Sequence, residues 1–64
     1  MKVEALYSAL TRLKQDQREV LALRFGAELS IKVTASIMNK SVNAVKVLQY
    51  RALSALKDIL EPWK

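Results

Sequence analysis

The side chains best suited to chemistry in this sequence of 64 residues lie between Asn43 and Tyr50. Asn43, Lys46 and Tyr50 follow one another at steps of three and four residues, which places them on one face of a helix. Val47 shares that face. In the major groove of DNA an Asn amide can pair with adenine, a Lys ammonium with the acceptors of guanine, and a methyl group with thymine. The spacing therefore favours a helix that reads base edges, with Tyr50 at a base edge or a phosphate.

Catalysis is the alternative use of polar side chains, and the composition argues against it. The chain has no Cys and no His, so it lacks thiol nucleophiles, imidazole acid–base groups and the usual zinc ligands. Its 6 Asp and Glu residues are scattered along the sequence. We expect a protein that is not an enzyme and that needs no metal ion or other cofactor.

Positive charge is concentrated in the second half of the chain. Lys and Arg number 11 against 6 acidic residues, a formal net charge of +5. The segment from Ser30 to Lys57 contains five basic residues and no Asp or Glu. Because phosphates attract Lys and Arg and repel carboxylates, such a segment is typical of a nucleic-acid-binding face. A solvated basic surface without a ligand has the same composition, so charge alone leaves both interpretations open.

A second set of residues is suited to the phosphate backbone, where contacts position a protein without reading sequence. The predicted backbone contacts are Ser30, Lys32, Lys40, Ser41 and Arg51. Ser41 can offer its hydroxyl to a phosphate at the positive end of a helix dipole, but it is equally suited to capping that helix. Asn43 and Lys46 are also compatible with ordinary solvated positions. Val47 has no such alternative role, because an apolar residue gains nothing from an exposed polar face.

The elements that must position these residues are helices. One Gly and one Pro leave little turn-forming material for a β-sandwich, and apolar residues recur at helical spacing. We predict an all-α fold, a small bundle of four helices at about 3–13, 16–25, 30–38 and 42–60. A tight turn joins the last two into a helix-turn-helix over 30–60, of the winged-helix-like DNA-binding class but without a wing. Residues 1–64 are predicted to be a single domain.

Local signals predict where the helices begin and end. Asp16 with Glu19 fits a capping box at the start of the second helix, and Gly26 suits its end. Asn39 tolerates a left-handed backbone, so the turn between the last two helices needs no glycine. The N-caps predicted for these two helices are Ser30 and Ser41.

Amphipathic spacing predicts the core. The apolar stripe of the first helix consists of Val3, Leu6, Leu10 and Leu13. The stripe of the fourth helix lies opposite Asn43 and consists of Val45, Leu48, Ala52, Leu56 and Ile59. Pro62 is predicted to end the fourth helix, and Trp63 to cover the end of the bundle.

No apolar run approaches the ~20 residues that a membrane-spanning helix needs, and the N-terminus has no signal-peptide core. The absence of Cys agrees with a reducing compartment. We therefore expect a cytoplasmic protein without a membrane partner.

Two motifs of the sequence, in their order and spacing, resemble those of region 4 of bacterial RNA polymerase sigma factors. The resemblance is strongest to the extracytoplasmic-function (ECF) group of that family. The similarity runs from about Val3 to Leu60. Its motifs are QREVLALRF from residue 17 and AVKVLQYRAL from residue 44, with Leu29-Ser30, Thr34-Ala35 and Ser41 between them.

The resemblance implies that the recognition helix binds the minus-35 element of double-stranded promoter DNA and that the domain docks on the flap of the polymerase β subunit. It also implies an anti-sigma factor as a further partner. By position, Arg51 would lie near the DNA backbone and Ser30 and Lys32 would touch phosphates. The bases would be read by Asn43, Lys46, Val47 and Tyr50. A sigma domain of this kind works as a monomer within polymerase, so we expect a monomer.

Four residues depart from the family pattern. Lys14 stands where a Pro commonly precedes the second helix, which would leave that helix held by the Asp16 cap alone. Val33 occupies a frequent Glu position. Asn39 and Lys40 replace a glycine and an apolar residue in the turn, which predicts a less stable turn.

Two alternative functions stay open at this stage. One is the output domain of a response-regulator-type transcription factor, in which the helix-turn-helix also follows a QREVL-like segment. The run Gln49-Tyr50-Arg51-Ala52-Leu53 favours a sigma factor instead. The other is a protein-interaction module gripped by polymerase or an anti-sigma factor. Its groove would use apolar residues of the first two helices that are equally suited to the core, namely Leu6, Leu10, Leu21 and Phe25.

Overall fold

The computed structural model describes residues 3–61, and Pro62 and Trp63, with the roles predicted for them, lie outside this range. The helices are α1 (Val3–Thr11), α2 (Gln15–Leu21), α3 (Ile31–Met38) and α4 (Val42–Leu60). A π-helical turn over Ala22–Gly26, called the π turn below, continues α2. No strand occurs among these residues, so the prediction of an all-α, four-helix fold is confirmed.

The start of α2 differs from the sequence prediction. The Asp16–Glu19 capping box is wrong, because α2 begins at Gln15 with Lys14 as the residue before it. The Lys14 N–H donates to Gln17 Oε1 at 3.3 Å, and the Arg18 N–H donates to the Lys14 carbonyl at 2.9 Å. Gln17 thus satisfies a donor at the helix end, and Asp16 lies in the first turn, where the helix dipole favours its charge.

Helix α1 ends two residues earlier than predicted, and Arg18 stabilises its end. Arg18 Nη1 donates to the carbonyls of Leu13 at 3.3 Å and Thr11 at 3.5 Å. Thr11 Oγ1 donates to the Ser8 carbonyl at 2.7 Å. These donors satisfy carbonyls that the end of a helix leaves without partners. The link between α1 and α2 is therefore fixed without the proline that Lys14 replaces.

The core forms around α4, because α1, α2 and α3 all pack against it. Val45 and Ala52 of α4 are fully buried. The other predicted stripe residues of α4 pack partly buried against this core, namely Leu48, Leu56 and Ile59. The predicted stripe of the fourth helix is thus confirmed, as are the bounds of that helix.

The predicted stripe of the first helix is confirmed in part, because Leu13 belongs to the core and Leu10 packs partly buried against it. Ala5, Ala9 and Leu13 are buried, whereas Val3 is 65% exposed and Leu6 is half-buried. The small Ala side chains allow α1 to approach its neighbours closely, and the larger apolar residues turn to one side.

No helix in residues 3–61 combines the length and the apolar character needed to cross a membrane.

Thr34 provides a test of the core. It is fully buried, and its Oγ1 has no hydrogen-bond partner. A buried hydroxyl without a partner costs about 1–3 kcal/mol. Thr34→Val removes the hydroxyl and keeps the shape, so we expect the free energy of unfolding to rise by about 1 kcal/mol in denaturant titrations.

Thr34→Ala is the matched control, because it removes the hydroxyl and also a buried methyl group. It should be less stable than Thr34→Val by about 2 kcal/mol, because Val has two buried methyl groups that Ala lacks. If Thr34→Val is instead less stable than the unsubstituted chain, the hydroxyl has a partner in solution.

Candidate nucleic-acid interface

The turn between α3 and α4 sets the angle of the helix-turn-helix. Asn39 adopts the left-handed conformation, with φ 55° and ψ 46°. The Lys40 N–H donates to the Ala35 carbonyl at 2.9 Å and the Asn39 N–H donates to the Ser36 carbonyl at 3.2 Å. This pair of bonds is a Schellman motif, which satisfies the last carbonyls of α3. The predicted left-handed Asn39 is confirmed.

Side-chain caps fix where α3 and α4 begin. The Ser30 hydroxyl accepts from the Val33 N–H at 3.1 Å, and the Ser41 hydroxyl accepts from the Ala44 N–H at 3.1 Å. Both predicted N-caps are therefore confirmed, and α3 starts one residue after Ser30. Each cap fixes the residue at which its helix begins, and the partial positive charge of the helix dipole lies at that end.

The predicted base-reading residues lie on the face of α4 that the core leaves free. Asn43, Lys46, Val47 and Tyr50 are all exposed, and they follow one another at helical spacing. Tyr50 is 75% exposed and Val47 is 49% exposed. Neither side chain contributes to the core, so both are available to a ligand. Val42, by contrast, packs against the core and is not part of this face.

The predicted backbone contacts are also exposed, and they lie at the cap of α3 and within α3, in the turn, and at the start and in the middle of α4. They are Ser30, Lys32, Lys40, Ser41 and Arg51. The exposed basic residues of this segment, Lys32, Lys40, Lys46, Arg51 and Lys57, are called the basic surface below, and no carboxylate occurs between residues 30 and 57. Such a surface attracts a phosphate backbone.

Arg24 joins the start of α3 to α4, a contact that the sequence analysis missed. Its Nε donates to Gln49 Oε1 at 2.9 Å, and its Nη1 donates to the Leu29 carbonyl at 2.7 Å. Both Arg24 and Gln49 are half-buried. A signal was present, because Arg24 interrupts the apolar run from Val20 to Phe25 and a partly buried guanidinium needs partners.

An apolar groove lies between α1, the π turn and α4, with a volume of about 710 Å³. Leu6 and Leu10 of α1, Leu21 of α2 and Leu53 of α4 line it, together with Phe25. Leu21 is buried, as expected for the core, but Phe25 is 55% exposed. The apolar residues named for a partner groove thus come together on one surface.

The features of a metal site are missing from the described part of the chain. Within residues 3–61 no three Asp or Glu side chains come together in a way that would hold a metal ion. The arrangement instead offers two surfaces for macromolecules, one basic and one apolar. The fold combines a helix-turn-helix with an exposed recognition helix. It therefore belongs to the helix-turn-helix class of DNA-binding folds.

Comparison with known proteins identifies the family. The family described as Sigma-70, region 4 matches residues 3–56. The chain therefore belongs to the sigma-70 region 4 family, and the resemblance found in its motifs is confirmed. Sigma factors act in transcription initiation and are not enzymes, as the composition predicted. The match also favours the sigma interpretation over the response-regulator alternative.

The relatives are ECF sigma factors. The chain is 45% identical over 56 residues to the ECF RNA polymerase sigma factor BldN of Streptomyces coelicolor, covering 88% of this chain and 21% of BldN. It is 39% identical over 59 residues to the ECF RNA polymerase sigma factor SigX of Bacillus subtilis, covering 92% of this chain and 30% of SigX. The chain thus spans less than a third of the length of either relative.

A solved structure shares the fold. The chain superimposes with a TM-score of 0.86 and 44% identity on a chain in the 1.8 Å structure of the RsbN–BldN complex, covering 89% of this chain and 41% of that one. The helix arrangement is therefore that of an ECF sigma factor region 4.

Asn39 allows the turn to be tested. Asn39→Gly relieves the left-handed backbone at some cost in chain entropy, so we expect little change in stability. Ala disfavours the left-handed conformation, because its Cβ crowds the backbone and it lacks the polar group of Asn. Asn39→Ala should therefore lower the free energy of unfolding by about 1 kcal/mol. Thermal melting followed by circular dichroism compares the two. Equal melting temperatures for both variants would mean that the turn relaxes out of the left-handed conformation.

Proposed function

We propose that the chain is the promoter-binding domain of an ECF sigma factor and that α4 reads the minus-35 element in the major groove. The observation that carries this proposal is the exposed face of α4, which combines an amide, an ammonium, a methyl-bearing group and a phenol with no carboxylate nearby. The family match supports the same function. DNA of this kind lies in the cytoplasm, which is the location we propose.

The proposed division of labour follows from side-chain chemistry. Asn43 pairs with adenine, Lys46 with guanine acceptors, and Val47 contacts a thymine methyl, while Tyr50 lies at a base edge or phosphate. Phosphate contacts supply most of the affinity and position the helix. They are assigned to Ser30, Lys32, Lys40, Ser41 and Arg51. The domain acts as a monomer on one non-palindromic site.

The apolar groove supports a second part of the proposal, that the domain docks on the flap of the polymerase β subunit. Tyr7 is 65% exposed, Phe25 55% and Leu53 42%, and all three line the groove. Clustered exposed apolar side chains are typical of a protein-binding surface. The complex of the relative BldN with RsbN supports a further protein partner for this chain, which we propose to be an anti-sigma factor.

Selection from a randomised duplex library tests the DNA-binding proposal. We expect the 64-residue chain to enrich one short, non-palindromic motif at low salt, with binding that weakens steeply as salt is added. Lys46→Ala should lower affinity for that motif by about tenfold and relax the preference at one position, because it removes a base contact.

Lys57→Ala is the matched control, since it removes the same charge from the last turns of the same helix. It should weaken binding to all sequences alike. A palindromic motif would favour a dimeric regulator, and no enrichment at any salt concentration would refute promoter reading.

Binding to a purified β-flap fragment tests the groove. We expect Phe25→Ser to weaken this binding by about tenfold, because it removes an exposed aromatic side chain from the groove wall. Binding of the unsubstituted chain should change little with salt, unlike DNA binding. The control is Ile37→Ser, since Ile37 is also 55% exposed but does not line the groove. Equal losses in both variants would show that the groove is not the docking site.

A further inference from the structure

The guanidinium of Arg24 lies at the junction of the two DNA-facing segments. It bonds Gln49 on α4 at 2.9 Å and the Leu29 carbonyl at 2.7 Å, so these two residues are held on either side of a single planar group. Gln49 directly precedes Tyr50. Leu29 directly precedes Ser30, the cap of α3. One side chain therefore links the middle of the recognition helix to the point where α3 begins.

The backbone around Leu29 is itself tightly defined. The Leu29 N–H donates to the Leu23 carbonyl at 3.0 Å, and the Ala27 N–H donates to the Ala22 carbonyl at 2.8 Å. Glu28 between them has a φ of 55°, a left-handed conformation that is uncommon for this residue type. These bonds fix the Leu29 carbonyl as an acceptor for Arg24.

The residue type matters at this junction. The Nε and Nη1 donors of an Arg have a fixed separation and direction in one plane, whereas a Lys ammonium is a single point on a flexible stem. Both partners of Arg24 are neutral acceptors, and bonds from a charged donor to such groups are stronger than bonds between neutral groups. Only the Arg fork can therefore hold both acceptors in this geometry.

We propose that Arg24 is a positioning residue for promoter reading, which acts through Gln49 to set the orientation of α4 relative to the phosphate contacts at the start of α3. The proposal rests on the proposed function. A recognition helix discriminates between bases only while its side chains are held close to the productive geometry. Loss of the Arg24–Gln49 bond should then reduce discrimination between sequences more than it reduces stability.

The test compares Arg24→Lys, Gln49→Leu and the double variant, each in the 64-residue chain. The quantity measured is the ratio of affinities for the selected motif and for a duplex with one base pair changed, at fixed salt and well below the melting temperature. Arg24→Lys keeps the positive charge, and Gln49→Leu changes no charge, so non-specific attraction to DNA is preserved. We expect the ratio to fall about fivefold in each single variant.

The double variant shows whether the two residues act together. If they form one unit, its ratio should be no lower than that of the worse single variant. Gln49→Glu retains an acceptor for Arg24 and should keep the ratio of the unsubstituted chain, although its added negative charge lowers affinity for all duplexes. Arg18→Lys is the control, because Arg18 also donates from Nη1 to carbonyls but at the end of α1. It should leave the ratio unchanged.

Four results would overturn the inference. An unchanged ratio in Gln49→Leu with a reduced ratio in Arg24→Lys would mean that Arg24 does not act through Gln49. Additive losses in the double variant would mean that the two residues act separately. Unchanged ratios in both single variants, with motif selection intact in the unsubstituted chain, would refute positioning by Arg24 while leaving the proposed function standing. Failure of the unsubstituted chain to select any motif would refute both.

Discussion

The burial of one face of α4 is the constraint on which the rest of the structure depends. Helices α1, α2 and α3 all pack against α4, and Val45 and Ala52 are fully enclosed there. A helix can bury only one side in a bundle of this size, so the choice of that side also determines which residues stay outside. The exposed face that carries Lys46 and Tyr50 is therefore a consequence of the core.

The features that the sequence predicted well are those set by neighbouring residues. Ser30 and Ser41 cap helices because a hydroxyl reaches an amide only three residues away, and Asn39 turns left-handed because its own side chain tolerates that backbone. The bounds of α4 were predicted from the Ser41 cap and from Pro62, whose ring cannot continue a helix. In each of these cases the decisive interaction lies within one or two helical turns, where residue types and spacing are sufficient evidence.

The features that were missed depend on contacts between distant segments. Ala5 and Ala9 have the same helical spacing as Leu6 and Leu10, so periodicity alone did not show that the two alanines would be the buried residues of α1. Only the close approach of neighbouring helices favours the smaller residues there. The bond between Arg24 and Gln49 spans 25 positions, and it depends on the π turn and the loop after it.

The two proposed binding surfaces share α4 but no residues. Leu53 and Leu56 of α4 line the apolar groove, whereas Tyr50 lies on the exposed basic face. Leu53 follows Tyr50 by three residues and precedes Lys57 by four, so the groove borders the basic surface along one stripe of α4. Both surfaces still rely on the same buried stripe to hold α4 in place, so damage to that stripe would impair both kinds of binding together.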